Sequence, residues 1–116
     1  ARRAAATALG AFGGEAAIDA VSFALMDEER DVVMAAVRAL GRMSLDPAEI
    51  VVRLAPLVDH EAWEVRKVAV ESVGRAGTPS ALHLLKGRLA AEHEPVVRAA
   101  IAAWTDDHGA SREGEG

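Results

Sequence analysis

Four histidines, His60, His83, His93 and His108, are the side chains best suited to metal binding or proton transfer in this 116-residue chain. Two of them recur in similar settings, Asp59-His60-Glu61 and Glu92-His93-Glu94. Two such turns side by side would offer imidazole and carboxylate groups to a divalent ion. The simpler account is that acids just ahead of a helix are favoured by its positive end, and an exposed imidazole there needs no task. No metal is assigned. His83, beside Leu82, reads as a surface residue rather than a base. Ser22, Ser44, Ser72 and Ser80 lie in no nucleophile elbow and beside no base, and Gly10, Gly13 and Gly14 lead into no phosphate-loop Lys followed by Ser or Thr. The chain has no cysteine, which removes disulfides, thiolate zinc sites, iron–sulfur clusters and cysteine nucleophiles. The expectation is a protein that is not an enzyme and carries no cofactor.

The elements that must position any site follow from composition and repetition. Apolar residues make up 51% of the chain but aromatics only 3%, so a core must be built from Ala, Val and Leu, which suits closely packed helices and argues against an all-β fold. Ala1–Gly10, Val32–Gly41, Val65–Gly74 and Val96–Thr105 align as ten-residue copies whose last positions are spaced 31, 33 and 31 residues apart. In each, small or apolar residues fall at the first, fourth, fifth, eighth and ninth places, one stripe of a helix. These are the second helices of a repeated hairpin. The first helices are expected at Glu15–Met26, Pro47–Val58 and Pro79–Ala91. Asp46-Pro47 and Thr78-Pro79 each supply an N-cap oxygen and a proline at the first helical position. Pro56, deep in its helix, predicts a bend or early end. Gly13-Gly14 and Gly74/Gly77 mark unit ends, while Gly10, Gly41 and Gly74 leave room for a neighbouring helix.

Val-Arg-x-x-Ala-x-x-x-x-Gly at 65–74, with Ala-x-x-Ala-Leu-Gly at 5–10 and Ala-Leu-Gly at 39–41, resembles the HEAT-repeat family, and within it the short repeats of about 30 residues first associated with phycobilin lyases. The resemblance covers residues 1 to about 105 and implies an all-α, right-handed α-solenoid (a superhelix of HEAT-like helical hairpins). Its parts would be an orphan helix over 1–12, repeats at about 15–44, 46–77 and 78–105, and a polar, disordered tail over 106–116. The Thr78-Pro79 and His83 of an ankyrin unit and the low-thirties period of a tetratricopeptide unit are not supported by repetition of either signature. The family commonly pairs an Asp in the inter-helix turn with an Arg early in the second helix. Asp27 and Asp59 fit the acid and Glu92 stands in for the third; Arg66 fits the base, whereas Val33 and Val97 do not. Thr105 replaces the unit-closing Gly, and Trp104 takes the Leu place as core or end cap.

Eighteen acids against thirteen bases give a formal charge of −5, which disfavours a general nucleic-acid binder. Eight of the bases, Arg2, Arg3, Arg38, Arg42, Arg66, Lys67, Arg75 and Arg98, belong to second helices or their ends, which in the family form the concave wall. The sixth place of each second helix, Ala6, Val37, Val70 and Ile101, is apolar although it lies about 140° round from the start of the stripe. Met34 adds to that strip, and Trp63 sits in the turn before a second helix as a candidate anchor. The functional expectation is a protein-protein interaction scaffold binding a partner protein or peptide on its concave face through Met34, Val37, Arg38, Trp63, Arg66, Lys67, Val70, Arg98 and Ile101. Nucleic-acid binding through the basic inner helices is the alternative, and a chromophore-lyase subunit a third. No signal peptide or membrane span is visible, so the chain is expected to be a cytoplasmic excerpt of a longer polypeptide, with a bacterial composition. Its uncapped N-terminal edge offers a route to self-association.

Overall fold

A computed structural model of the chain describes residues 15–115, with side chains described through Asp106. The expected helix over 1–12 and the edge proposed for self-association lie outside the described residues. The elements run α1 (Glu15–Ala24), α2 (Arg30–Arg42), α3 (Pro47–Leu54), a 3₁₀ turn (Ala55–Asp59), α4 (Trp63–Ala76), α5 (Pro79–Leu89) and α6 (Pro95–Glu115). No strand occurs among the described residues, and no helix there is long and apolar enough to cross a membrane.

Local chemistry accounts for the boundaries. Pro47, Pro79 and Pro95 each take the first helical position, where a missing N–H costs no hydrogen bond. Thr78 Oγ1 accepts from the Ala81 amide at 3.1 Å, a complete N-cap. Asp46 makes no such side-chain bond, so α3 relies on Pro47 and on the backbone. Pro56 cannot donate into the helical ladder, and the chain tightens into 3₁₀ geometry from Ala55 on, where the sequence placed a bend. Gly77 ends α4 at φ +66°, a left-handed conformation that disfavours any residue with a Cβ.

The helices pair as hairpins, α1 with α2, α3 with α4 and α5 with α6, and the hairpins stack so that α4 lies between α2 and α6. Packing is uneven between the two rows. The second helices meet over long stretches, α3 meets α5 more sparingly, and α1 stands off from α3. Small side chains permit the close row: Ala36, Ala39 and Val37 of α2 and Ala69, Val70 and Val73 of α4 are fully buried. Val21, Leu54 and Leu85 bring one core residue from each first helix into the same cluster.

Aligned on their starts at Arg30, Trp63 and Pro95, the second helices share a buried stripe: Val32, Val65 and Val97; Ala36, Ala69 and Ile101; Leu40, Val73 and Thr105. This moves the third unit one residue from the alignment read in the sequence. Pro95 fixes the helix start, so Val97 rather than Val96 enters the core, and Val96 remains 43% exposed. Thr105 therefore occupies the Leu place rather than the Gly place, and its buried hydroxyl donates to the Ile101 carbonyl at 3.0 Å. Trp104 falls one position earlier and packs across Gly74, where a Cβ would overlap the indole ring. α6 runs on beyond Thr105 through Glu115, where extending an existing helix adds a hydrogen bond for each residue fixed.

Gly74→Ala is expected to lower stability by about 1 kcal/mol, because steric overlap of roughly 1–3 kcal/mol exceeds the gain of up to about 1 kcal/mol from replacing a helical glycine. In a Trp104→Ala background the same change is expected to become stabilising. Urea unfolding of the four proteins checks the reversal of sign.

Candidate functional site

Two arginines nominated as binding residues turn out to organise the inter-helix turns, Arg66 across two units and Arg98 within its own. Arg66, on the second turn of α4, sends Nε and Nη2 to the two carboxylate oxygens of Glu92 at 2.8 and 3.0 Å. Its Nη1 donates to the carbonyls of His60 and Glu61 at 2.8 and 3.1 Å. Glu92 lies in the turn between α5 and α6, is fully buried, and also accepts from the Glu94 amide at 3.0 Å. Arg88 approaches Glu92 at 3.5 Å and binds Asp59 at 2.7 Å, while its buried Nε has no hydrogen-bond partner among the described residues. Arg98 stands in α6 where Arg66 stands in α4. Although exposed, it spends Nη1 on the carbonyls of Leu89 and Glu92, at 2.8 and 2.7 Å.

This geometry corrects the acid–base pattern read from the sequence. The residue two before each second helix's N-cap accepts from the N-cap amide: Asp27 from Glu29 at 2.8 Å, His60 through Nδ1 from Ala62 at 2.9 Å, and Glu92 from Glu94. His60, not Asp59, thus fills the acid's place in the middle unit, and Asp59 pairs with Arg88 instead. Arg98, not Val97, fills the base's place in the last. Only Val33 keeps its unit without a base there, and it is fully buried.

The remaining candidates divide between core and surface. Val37, Val70 and Ile101 are fully buried and present no surface to a partner. Val37 and Val70 lie at a marginal angle for a helix with one buried face, but these helices are covered both by their own hairpin partner and by neighbouring second helices, while Ile101 falls on the buried stripe itself. Met34 is half-buried and packs on the core. Lys67 pairs with Glu71 at 3.2 Å. Trp63 is 39% exposed at the start of α4. Arg38 is exposed, and with Arg42 and Arg75 it makes no hydrogen bond or ion pair among the described residues. Arg75 borders a cleft of about 240 Å³ between the ends of α2 and α4, whose floor includes Met43, Leu45, Ile50 and Ala76. No group of three His, Asp or Glu side chains able to hold a metal exists among the described residues. The sequence reading also passed over exposed apolar side chains on or just past the first helices: Phe23 at 80%, Met26 at 84% and Val52 at 72%. Phe23 and Met26 lie off the Ile18, Val21 and Leu25 stripe, which was the available signal.

Burial by itself raises the Glu92 carboxyl pKa, but the Arg66 hydrogen bonds, the Glu94 amide and then the charges of Arg66 and Arg88 outweigh it. The net shift is downward from the ordinary 4.5. Because the folded-state value is the lower one, the pair contributes stability at pH above the ordinary carboxylate value and loses it as pH falls through the folded-state value. Glu92→Gln is expected to cost about 3 kcal/mol near neutrality, since it leaves Arg66 buried without its counter-charge. The gap between the two proteins should narrow as pH falls below the ordinary 4.5 and close once the wild-type carboxyl gains its own proton. Urea midpoints across that range measure both effects.

A family model described as HEAT repeats matches residues 1–52 and 23–104. No curated protein matches the chain. Repeated hairpins, second helices aligned on a common buried stripe, and a family match over most of the length agree that this chain belongs to the HEAT-repeat family.

Proposed function

We propose that the chain is a non-catalytic segment of a right-handed α-solenoid, of the family's short-unit branch, whose second helices hold an acidic peptide of a partner protein. HEAT repeats commonly mediate protein–protein interaction, and the close second row makes this face a rigid one on which binding costs little ordering. The observation that carries the reading is the set of three cations, Arg38, Arg42 and Arg75, that make no hydrogen bond or ion pair among the described residues, with Arg75 lining the mostly apolar cleft between the ends of α2 and α4. An apolar side chain inserted over Met43, Leu45 and Ile50 would place flanking carboxylates within reach of guanidinium groups. Met34, Lys67 and Trp63 extend the same face toward the helix starts. Arg66 supports it from within, its hydrogen bonds spent on Glu92 and on turn carbonyls, and Arg98 holds the turn of the last unit from the surface through Nη1.

The test is fluorescence anisotropy with acidic peptides, each carrying one Leu, Ile or Phe anchor. Arg38→Gln, Arg42→Gln and Arg75→Gln together are expected to weaken the best binder by roughly tenfold or more, with the thermal midpoint little changed. Unchanged affinity in the triple variant would reject this face. Binding of duplex DNA at moderate salt in place of the peptides would move the assignment to a nucleic-acid partner.

A further inference from the structure

The repeats do not fill their joints alike. Between the second and third units the Trp104 indole lies across Gly74. Aligned on the helix starts, the corresponding pair one joint earlier is Ser72 of α4 and Gly41 of α2. There a Cβ on Gly41 would meet only Ser72 Oγ among the described residues, at 3.9 Å, and both residues line the open cleft of about 240 Å³. The first helices register the difference. Leu82 of α5 is buried, whereas Ile50, its counterpart by position on α3, is half-buried and lines the cleft. Each joint has a glycine on one wall, and the later one carries its own aromatic cover.

The chain itself thus displays a shape that closes such a joint, a planar ring laid over the glycine. Met43, Leu45 and Ile50 supply an apolar floor for a ring in the open joint, and an aromatic side chain buries more surface there than an aliphatic one. Ser72 Oγ has no hydrogen-bond partner among the described residues, so it is free to accept from an indole N–H. Charge indicates what flanks the ring. Arg75 lines the cleft and Arg42 follows Gly41 directly, and neither makes a hydrogen bond or ion pair among the described residues. Asp46, the acid nearest in the chain, is not part of the lining, and Glu71 is held by Lys67. Carboxylates beside the ring would meet the two guanidinium groups, whereas basic flanks would meet like charge. We infer that the cleft over Gly41 takes a tryptophan side chain of the acidic peptide, as Trp104 covers Gly74. This rests on the acidic-peptide reading of the second-helix face and names the anchor.

The probes are three labelled peptides of one acidic sequence with Trp, Leu or Ala at the central position, and a fourth with Trp flanked by lysines. The wild-type chain is expected to bind in the order Trp, Leu, Ala, with roughly tenfold or more between the first and the last, and not to bind the Lys-flanked form. Ser72→Trp supplies a ring from the chain itself, as at 104, and Gly41→Leu fills the same space from the opposite wall. Each should weaken the Trp peptide by roughly tenfold or more while the circular-dichroism melt is held or raised. Equal binding of the Trp and Leu peptides, or full affinity in both filled variants, overturns the inference and leaves the acidic-peptide reading standing. Binding of none of the acidic peptides overturns both, as does equal binding of the Lys-flanked peptide. A wild-type dimer that Ser72→Trp converts to monomer, seen by light scattering, would overturn the inference by giving the cleft to a second copy of the chain.

Discussion

Close approach between second helices is the constraint on which the other features depend. Ala36, Ala39 and Ala69 contribute little side-chain volume, so the backbones of α2 and α4 lie near one another and larger residues such as Leu40 and Val73 fill the space around them. The hydrophobic gain is shared: each helix buries one flank against its own hairpin partner and another against the next unit. First helices enjoy no equivalent contact on both sides, and that inequality opens a cleft between α1 and α3 while the second row stays close. Gly74 shows how little tolerance the tight row has. At this position the Trp104 ring replaces what would be a side chain, so the absence of a Cβ is a packing requirement.

Polar groups at the joints are arranged around the same close approach. Each turn into a second helix must satisfy an N-cap amide, and three chemically different residues do so from the same place: Asp27, His60 and Glu92. In the turn before α6 the group used is an acid, and a buried acid requires compensation. Arg66 supplies it with two parallel hydrogen bonds and uses its remaining nitrogen on the carbonyls of the preceding turn. One side chain thereby tightens two successive turns. This is why the nominated cations differ so much in what they offer to solvent. Arg66 is committed to structure, Arg98 is half committed from an exposed position, and Arg38 makes no hydrogen bond or ion pair among the described residues.

Much of this organisation was legible in the residues themselves. The repeated small-apolar stripe, the prolines at 47 and 79 and the glycine at 77 fixed the helical hairpins, and Pro56 marked where α3 tightens. The last unit was misread by one position because apolar residues at 96 and 97 satisfy the pattern equally well in one dimension. Only the helix start at Pro95 decides which of the two valines enters the core. Ile101 was misassigned to the surface by that same slip, and Val37 and Val70 for a related reason. A single-helix projection allows one buried arc, whereas a helix flanked by neighbours on both sides has a wider one. The first-helix surface went unnoticed because attention to the repeated stripe treats off-stripe residues as solvent-facing by default. Phe23 and Met26 are indeed solvent-facing, and their size is what distinguishes them from the polar residues usual there.

The bond between Arg66 and Glu92 also limits how far these repeats can be treated as exchangeable bricks. Transplanting the 89–94 turn to another joint, where Val33 would replace the arginine, would enclose an anion with no cation opposite it. Placing an Asp27-type turn opposite Arg66 would shorten the acid by one methylene and draw its oxygens back from the guanidinium fork. The order of the hairpins is thus written into their electrostatics as well as their shapes, and a shuffled chain would keep the same hydrophobic stripe while losing its correct sequence of neighbours.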